Sequence, residues 1–578
     1  MASLRSFPTR GALRRSPFSR LDFVIGAAVI ALLYVLVRLG QDMNASTLSA
    51  HVGGSVSTSA ANLPYYAARS LLRMFIALFL SVGFTFVYGT AAARSRRART
   101  VLIPLLDILQ SVPILGFLTI TVTFFVTLFP DSILGLECAA IFAIFTSQAW
   151  NMTFSFYHSL ITQPPELDEA ARVFRLTKWE RFWHLDVPSS MIGLVWNGMM
   201  SFGGGWFFLA ASEAISVFHH KYALPGIGSY VAASITEGKI THVGIAIGVM
   251  IVMVIGVNFI FWRPLVAWSE RFRVETSEAA DQPRSVTLDV LRRSHLPALI
   301  SRPLKPVGRG LDWLTRPFGL AEYPLFTSPA KRRAGNVIFA VVVIGAVLFG
   351  AYSGFAYLNA HGALGQFPKC FRLGFYTFLR VVVLLVVSTL IWVPVGVVIG
   401  MNARLARYAQ PVVQVLASFP ANFVFPLATV VFVAAGVSLN FGGILLMALG
   451  AQWYILFNVI AGASSIPTDL RELATQFGLP RWQRWRQLIL PAIFPFFVTG
   501  AITASGGAWN AAIVAEVVSF GKHHLVASGL GAYIAQAATS GSFAEVLTGV
   551  IVMSFYVVVI NALVWRRLYA LAERRYSL

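Results

Sequence analysis

Long apolar stretches separated by short polar segments run through most of the chain. Each is about as long as the ~20 residues that a helix needs to cross the hydrocarbon core of a bilayer. Because backbone polar groups cannot stay unpaired in lipid, the pattern predicts membrane-spanning helices. We expect twelve spans in two sets of six, at 22–39, 69–93, 101–129, 133–158, 189–215, 243–267, 336–358, 373–401, 411–436, 441–462, 491–517 and 545–569.

Composition and charge agree with this reading. The chain has 578 residues, of which 57% are hydrophobic and only 12% charged, which excludes a soluble domain. A net charge of +21 would suggest nucleic acid in a soluble protein, but here the basic residues lie between spans and at their ends. With six spans per half, every basic cluster falls on one face, as expected for cytoplasmic loops. We therefore expect both termini to be cytoplasmic.

The second half of the chain repeats the first. Glu169-Ala170-Ala171, followed by Pro188, returns as Glu472-Leu473-Ala474, followed by Pro491, at an offset of 303. Upstream residues match at an offset of 307. The further matched pairs include Arg73/Arg380, Pro113/Pro420, Trp206/Trp509, Glu213/Glu516 and Gly228/Gly531. A repeat of this length indicates a duplicated domain and not a solenoid of short units.

Each half carries one polar loop with the Glu-Ala element, the first loop (164–188) and the second loop (466–490). In the first loop, Pro165 can open a helix that we expect to stop near 174–176, before a second short helix that carries Trp179. In the second loop, Gly478 is a natural helix C-cap. Such a pair of helices can dock into a soluble partner or simply lie on lipid headgroups, and two matched copies favour docking.

These loops resemble the EAA loop of binding-protein-dependent ABC importer permeases, in which a Gly lies six residues after the Glu and a Leu-Pro about a dozen later. The second loop keeps Gly478 and Leu490-Pro491 but has Leu473 as its central residue. The first keeps Glu169-Ala170-Ala171 but has Arg175 in place of the Gly and Val187 before Pro188. The two docking contacts need not be equal.

The segments after the loops resemble nitrate/sulfonate/taurine-type anion permeases. The first half has Trp206, Ala210-Ala211-Ser212-Glu213 and then Gly226-Ile227-Gly228-Ser229-Tyr230. The second has Trp509-Asn510, Glu516 and then Gly529-Leu530-Gly531-Ala532-Tyr533. The usual members are single-copy and dimerise, so the resemblance implies that this fused chain supplies both halves of the pore.

The resemblance implies an all-α polytopic membrane protein of about 12 transmembrane helices, arranged as two six-helix repeats of the type I ABC importer fold. We place the first permease half at 1–267 (core 69–267), a cytoplasmic linker at 268–334 and the second half at 335–578 (core 373–569). The implied partners are two ABC ATPase subunits, which would bind ATP and Mg, a soluble substrate-binding protein and membrane lipid, but no nucleic acid. The implied location is the bacterial inner (plasma) membrane.

Candidate site residues follow from the matched positions. For coupling to the ATPase subunits these are Glu169, Ala170, Ala171, Trp179, Glu472, Ala474, Gly478 and Trp482. For the substrate path or gate they are Trp206, Glu213, Trp509, Asn510 and Glu516. We favour structural or gate roles for the two glutamates, because carboxylates repel an anion, and core packing for the two tryptophans. The basic runs 219–221 and 522–524 can attract an anion, contact a binding protein or simply be solvated.

Other activities find little support in the sequence. The chain has no GxxxxGK[ST] phosphate loop, so ATP hydrolysis is expected in partner subunits and no cofactor in this chain. Neither Cys138 nor Cys370 has a CxxC neighbour or a nearby His, so neither a catalytic nor a metal site is expected. Two alternatives remain, a fused ferric-iron permease and a secondary carrier or channel without an ATPase. The second would need a carboxylate in the path, for which Asp107 is the candidate.

Overall fold

The computed structural model describes most of both halves of the chain. The residues described are 20–45, 56–111, 114–217, 220–272, 287–289, 306, 310, 329–520 and 523–575. The arginines before residue 20, Pro113 and most of the predicted linker lie outside this set. The side chains of Asp107, of residues 219–221 and of Lys522 also lie outside it.

The first half is a series of helices interrupted by one hairpin. Its helices are α1 Arg20–Ala45, α2 Leu63–Arg94, α3 Arg96–Ser111, α4 Ile114–Leu128, α5 Leu134–Ile161, α6 Pro165–Val173, α7 Lys178–Arg181, α8 Val187–Glu213, α9 Ile227–Thr236, α10 Ile240–Val257 and α11 Arg263–Ser269. Strands β1 Ala214–Val217 and β2 His220–Ala223 pair antiparallel directly after α8. Short π-helical turns at Phe182–Asp186 and Asn258–Trp262 join α7 to α8 and α10 to α11.

The second half repeats this order element by element. Its helices are α12 Pro329–Ala360, α13 Phe367–Gly400, α14 Ala403–Ser418, α15 Phe425–Ala435, α16 Leu439–Ser464, α17 Thr468–Gln476, α18 Arg481–Arg484, α19 Leu490–Ala515, α20 Leu530–Ser540, α21 Phe543–Ile560 and α22 Arg566–Arg575. Strands β3 Val517–Phe520 and β4 His523–Val526 form the matching hairpin. The π-helical turns also recur, at Trp485–Ile489 and Asn561–Trp565. The repeat read from the sequence is therefore a repeat of structure.

The helices confirm an all-α polytopic fold. Among the described residues, seven helices are long and apolar enough to cross a membrane, and three shorter helices are also apolar. The predicted spans 133–158 and 189–215 correspond to α5 and α8, which have 28 and 27 residues. At 1.5 Å per residue, each of these two helices is roughly 40 Å long, enough to cross a bilayer.

Two of the predicted spans are wrong as single helices. The span predicted at 411–436 is divided into α14, a 3₁₀ turn at Ala421–Phe423 and α15. The span predicted at 101–129 is likewise divided between α3 and α4. Pro420 causes the second-half break, because the residue before a proline is pushed out of the helical region and Phe419 there has ψ 129°. The length of an apolar run shows that the segment can cross a bilayer, but it does not show that the helix is interrupted within the run.

The helices form two compact units that do not follow the repeat. The first takes Met1–Asp42, Thr162–Val195 and Val257–Leu325, and the second takes Met43–Ile161, Trp196–Gly256 and Phe326–Leu578. The second unit therefore combines parts of both halves in one packed body. The domain limits given by the repeat remain a prediction.

Glycines allow close helix contacts inside the second unit. A Cβ at Gly400 of α13 would lie 2.5 Å from the Ile460 carbonyl oxygen of α16, and one at Gly500 of α19 would lie 2.8 Å from the Tyr454 carbonyl oxygen. The two halves also meet directly, because a Cβ at Gly116 of α4 would lie 2.8 Å from Val550 of α21. Small residues let backbones approach closely where lipid provides no hydrophobic drive between helices.

This packing predicts a position-dependent response to a single methyl group. Gly400→Ala forces α13 away from the α16 backbone, so we expect it to lower the free energy of unfolding by about 1–3 kcal/mol. Gly345→Ala on α12 is the matched control, since nothing lies within 4 Å of its Cβ. That substitution should be neutral or slightly stabilising. Thermal unfolding of both purified variants in detergent tests this, and equal melting temperatures would contradict it.

Candidate functional site

The first loop is held together by its own ion pairs. Its helix α6 ends at Val173, and the chain then turns through Arg175, which has the left-handed φ of 49°. Thr177 and Glu180 form a reciprocal capping box that starts α7, with N–O distances of 2.8 and 3.1 Å. The buried Arg181 guanidinium pairs with Asp168 and lies 3.7 Å from Asp186. These contacts join the two short helices of the loop to the turn that leads into α8.

The second loop is fixed by different contacts. At the position of Asp168 it has Arg471, whose Nη2 donates to the Ala463 carbonyl at 2.7 Å and whose Nη1 donates to the Met401 carbonyl at 3.4 Å. These carbonyls lie at the ends of α16 and α13, where the last turn of a helix leaves acceptors without partners. The turn after α17 passes through Gly478 at φ 60°, the conformation that Arg175 adopts in the first loop. The two loops have the same backbone course but are anchored differently.

Predicted coupling residues divide into buried and exposed positions, and the two copies agree at the first and third residues of the Glu-Ala element. Ala171 and Ala474 are buried, whereas Glu169 and Glu472 are exposed. Ala170 and Trp179 are partly buried, and Trp179 packs edge-to-face on Trp183 at 5.6 Å. In contrast, Trp482 is exposed.

Sequence reasoning missed a matched pair of exposed aromatic residues. Phe174 and Phe477 occupy equivalent positions directly after α6 and α17, and they are 76% and 79% exposed. The signal was available, because the two residues match at the repeat offset of 303.

Buried charges form the centre of the first half. Arg73 of α2 donates to Glu137 of α5 at 2.5 Å and to Glu213 at the end of α8 at 2.7 Å, and all three side chains are fully enclosed. Arg69 adds a second contact to Glu137 at 2.5 Å. Ser70 donates to Glu213 at 2.5 Å and accepts from the Ile227 amide at 3.1 Å. Two arginines and two glutamates thus neutralise one another and tie α2, α5 and α8 together.

Backbone groups complete the shell around Glu213. The Gly228 amide donates to its second oxygen at 2.7 Å. A Cβ at Gly226 would overlap the same carboxylate, which explains the glycine at that position and at its match, Gly529. At the start of α9 the Gly-x-Gly element therefore leaves room for the Glu213 carboxylate at Gly226 and donates a backbone hydrogen bond to it from Gly228.

The second half keeps the core of this arrangement with fewer charges. Arg380 donates to Glu516 at 2.7 Å, and Thr377 takes the place of Ser70, donating to Glu516 at 2.8 Å. Asn440 occupies the position of Glu137, and its side-chain oxygen accepts a hydrogen bond from Arg380 at 2.8 Å. Tyr376 occupies the position of Arg69. One ion pair of the first half is thus replaced by neutral side chains, which is why the sequence offered no carboxylate matching Glu137.

Asn510 joins the two halves. Its side-chain oxygen accepts from the Ile114 amide of α4 at 2.8 Å, which satisfies a backbone donor at the start of that helix. Its amide group donates to the Gly506 carbonyl at 3.2 Å. Trp206 and Trp509 are buried, with Trp206 against Phe202 at 5.6 Å and Trp509 stacked on Tyr556 at 6.0 Å.

Two adjoining cavities lie beside these residues in the second unit. Gly203, Ala417 and Tyr454 line both, and Asn510 lines one of them. The other predicted path residues, Trp206, Glu213, Trp509 and Glu516, are not among the described residues that line either cavity. Sequence reasoning missed Gly203, Ser418 and Tyr454, for which the run Gly203-Gly204-Gly205 inside an apolar span was the available signal.

The difference between the two ion clusters predicts a compensating pair of substitutions. Arg69→Tyr or Glu137→Asn alone leaves the enclosed cluster with one uncompensated charge, and we expect each to lower the free energy of unfolding by roughly 3–5 kcal/mol. Arg69→Tyr with Glu137→Asn reproduces the second-half residues and should recover more than half of that loss. Denaturant unfolding of the four proteins gives the coupling energy, and strictly additive losses would count against the cluster.

Comparison with known proteins agrees with this architecture. The model of the family described as "Binding-protein-dependent transport system inner membrane component" matches residues 81–267 and again 392–577. The nitrate import permease protein NrtB of Leptolyngbya laminosa is 28% identical over 185 residues, which are 32% of this chain and 63% of that protein.

Two further relatives have similar identity. The bicarbonate transport system permease protein CmpB of Synechococcus elongatus is 28% identical over 166 residues, 28% of this chain and 56% of that protein. A putative aliphatic sulfonates transport permease protein, SsuC of Bacillus subtilis, is 29% identical over 160 residues, 28% of this chain and 54% of that protein. The matches cover less than two thirds of each of these relatives. Since the family model covers most of the chain in two copies, this membrane protein belongs to the family of binding-protein-dependent transport system inner membrane components.

Proposed function

We propose that this chain is the membrane subunit of an ATP-driven importer for a small anion and that it supplies both halves of the translocation path. The two loops would bind two separate ATPase subunits, which hold ATP and Mg. A soluble binding protein would deliver the anion to the opposite, outer face. Under this proposal the loops and both termini are cytoplasmic.

The observation that carries the proposal is the matched pair Phe174 and Phe477. Each is a large aromatic side chain, about three-quarters exposed, at the same position of a duplicated loop. Each loop has a second exposed apolar residue, Val173 directly before Phe174 and Trp482 five positions after Phe477, each more than 70% exposed. Aromatic anchors on a polar loop are the residues that usually dominate the affinity of a protein interface.

The loops are built to pass a movement on to the membrane helices. The first continues through a π-helical turn directly into α8, and the second continues in the same way into α19. A helix moves as a stiff rod because its backbone N–H and C=O groups are hydrogen-bonded to one another within the helix. A displacement of either loop would therefore shift a long helix.

The relatives support an anion as the substrate. Those named above are permeases for nitrate, bicarbonate and aliphatic sulfonates, which are all small anions with several oxygen atoms. The buried Glu213 and Glu516 do not count against an anion, because each is neutralised by an arginine and enclosed by donors.

The docking role predicts a loss of partner subunits. Phe174→Ala with Phe477→Ala should release the ATPase subunits during affinity purification and lower nitrate uptake at least tenfold, as expected when two interface anchors of about 2 kcal/mol each are lost. Phe441→Ala is the control, since this side chain is 75% exposed on α16, away from both loops in the sequence. Mass spectrometry of the purified complexes gives the subunit ratio.

A second double variant separates the importer from a self-sufficient carrier. Glu169→Lys with Glu472→Lys reverses an exposed charge in both loops and should impair coupling in the same way. Undiminished uptake, together with purification of the chain free of any ATPase, would reject the importer and favour a secondary carrier or channel.

A further inference from the structure

The two cavities adjoin each other and are small. Gly203, Ala417 and Tyr454 line both. They therefore suit a small ion better than a bulky substrate.

Three side chains that can donate hydrogen bonds line this space. The Tyr454 hydroxyl, the Ser418 hydroxyl and the Gln414 amide line the cavities, and none has a side-chain hydrogen bond to another described residue. These donors are therefore available to an anion that enters the cavities. No Asp, Glu, Lys or Arg is among the described residues that line either cavity.

The interrupted helix lies at the same place. Ala417, Phe419 and Ala421, which line the cavities, flank the break between α14 and α15. Non-helical backbone at membrane depth is tolerated only where it is buried in protein or lines a water-filled cavity. Here the break borders the same space as the three donors.

Glycines of α8 create the room. A Cβ at Gly203 would lie 2.7 Å from the Ser418 hydroxyl oxygen, and one at Gly204 would lie 2.9 Å from the Tyr454 hydroxyl oxygen. The repeat mates behave differently. At Gly506 nothing lies within 4 Å of a Cβ, and at Gly507 the nearest atom is a Tyr454 ring carbon at 3.6 Å.

We propose that the two cavities form one binding site for a small, singly charged oxyanion, held by the Tyr454, Ser418 and Gln414 donors. The second half would recognise the anion, while the first half provides space through Gly203 and Gly204. This asymmetry follows from the matched positions, since Tyr454 corresponds to Asn151, which instead accepts from Gln110 at 3.1 Å. The inference rests on the proposed function and names the place where the anion binds.

The chemistry of the site sets its selectivity. Neutral donors replace only part of an ion's hydration, and the cost of burying an ion rises with the square of its charge. Aromatic and thioether side chains, including Phe207, Trp453 and Met199, form much of the remaining wall. A charge-diffuse ion such as nitrate is therefore favoured over a doubly charged one such as sulfate.

The test is uptake of isotope-labelled nitrate by cells that carry the complete transporter. Gly203→Ala should lower the maximal rate at least tenfold, whereas Gly506→Ala should leave it within about twofold of the parent. Tyr454→Phe removes one hydrogen bond to a charged ligand and should lower nitrate uptake roughly tenfold. Excess sulfate should not compete, and methanesulfonate should compete weakly.

The outcomes separate this inference from the proposed function. Size-exclusion profiles and bound ATPase subunits show whether each variant is assembled, and the conservative Tyr454→Phe guards against a folding defect at Gly203. If the parent imports nitrate but Gly203→Ala, Gly506→Ala and Tyr454→Phe all match it, the binding site is rejected and the importer stands. If the parent imports no anion and carries no ATPase, the proposed function fails and the site falls with it.

Discussion

A guanidinium enclosed at membrane depth must meet a carboxylate, and this requirement organises both halves of the molecule. Arg73 and Arg380, on α2 and α13, each bind the glutamate at the end of the long helix after the loop. Breaking such a pair leaves an uncompensated buried charge, so neither partner can move alone. The pair therefore fixes where α8 and α19 end and where the Gly-x-Gly turn before α9 and α20 begins.

The remaining site geometry depends on that fixed point. Gly203 and Gly204 lie about ten residues before Glu213 on the same helix, and their repeat mates lie at the same distance before Glu516. α8 follows the first loop, α19 follows the second loop, and each helix ends at a buried ion pair. A shift imposed on a loop would thus be resisted at the far end and would alter the part of the helix that lines the cavity.

Duplication has given the two halves freedom to diverge. The first half holds two buried ion pairs where the second holds one and a neutral asparagine. The first loop is braced by Arg181, whereas the second is tied to helix ends by Arg471. The cavity draws its donors from the second half and its space from the first. Two identical copies of one half could not differ in this way, because every residue would be the same in both.

The sequence by itself determined the repeat, the fold class and the approximate helices, because period and hydropathy report what lipid requires of each segment. It also marked Glu213, Glu516 and Asn510, since polar residues in apolar spans are few. The tertiary structure alone decided the partners of those residues: Arg73 and Arg380 lie more than 130 positions away from their glutamates in the chain. It also decided the hairpins after α8 and α19 and the asymmetric cavity. These depend on which surfaces of distant helices meet, and no local pattern contains that information.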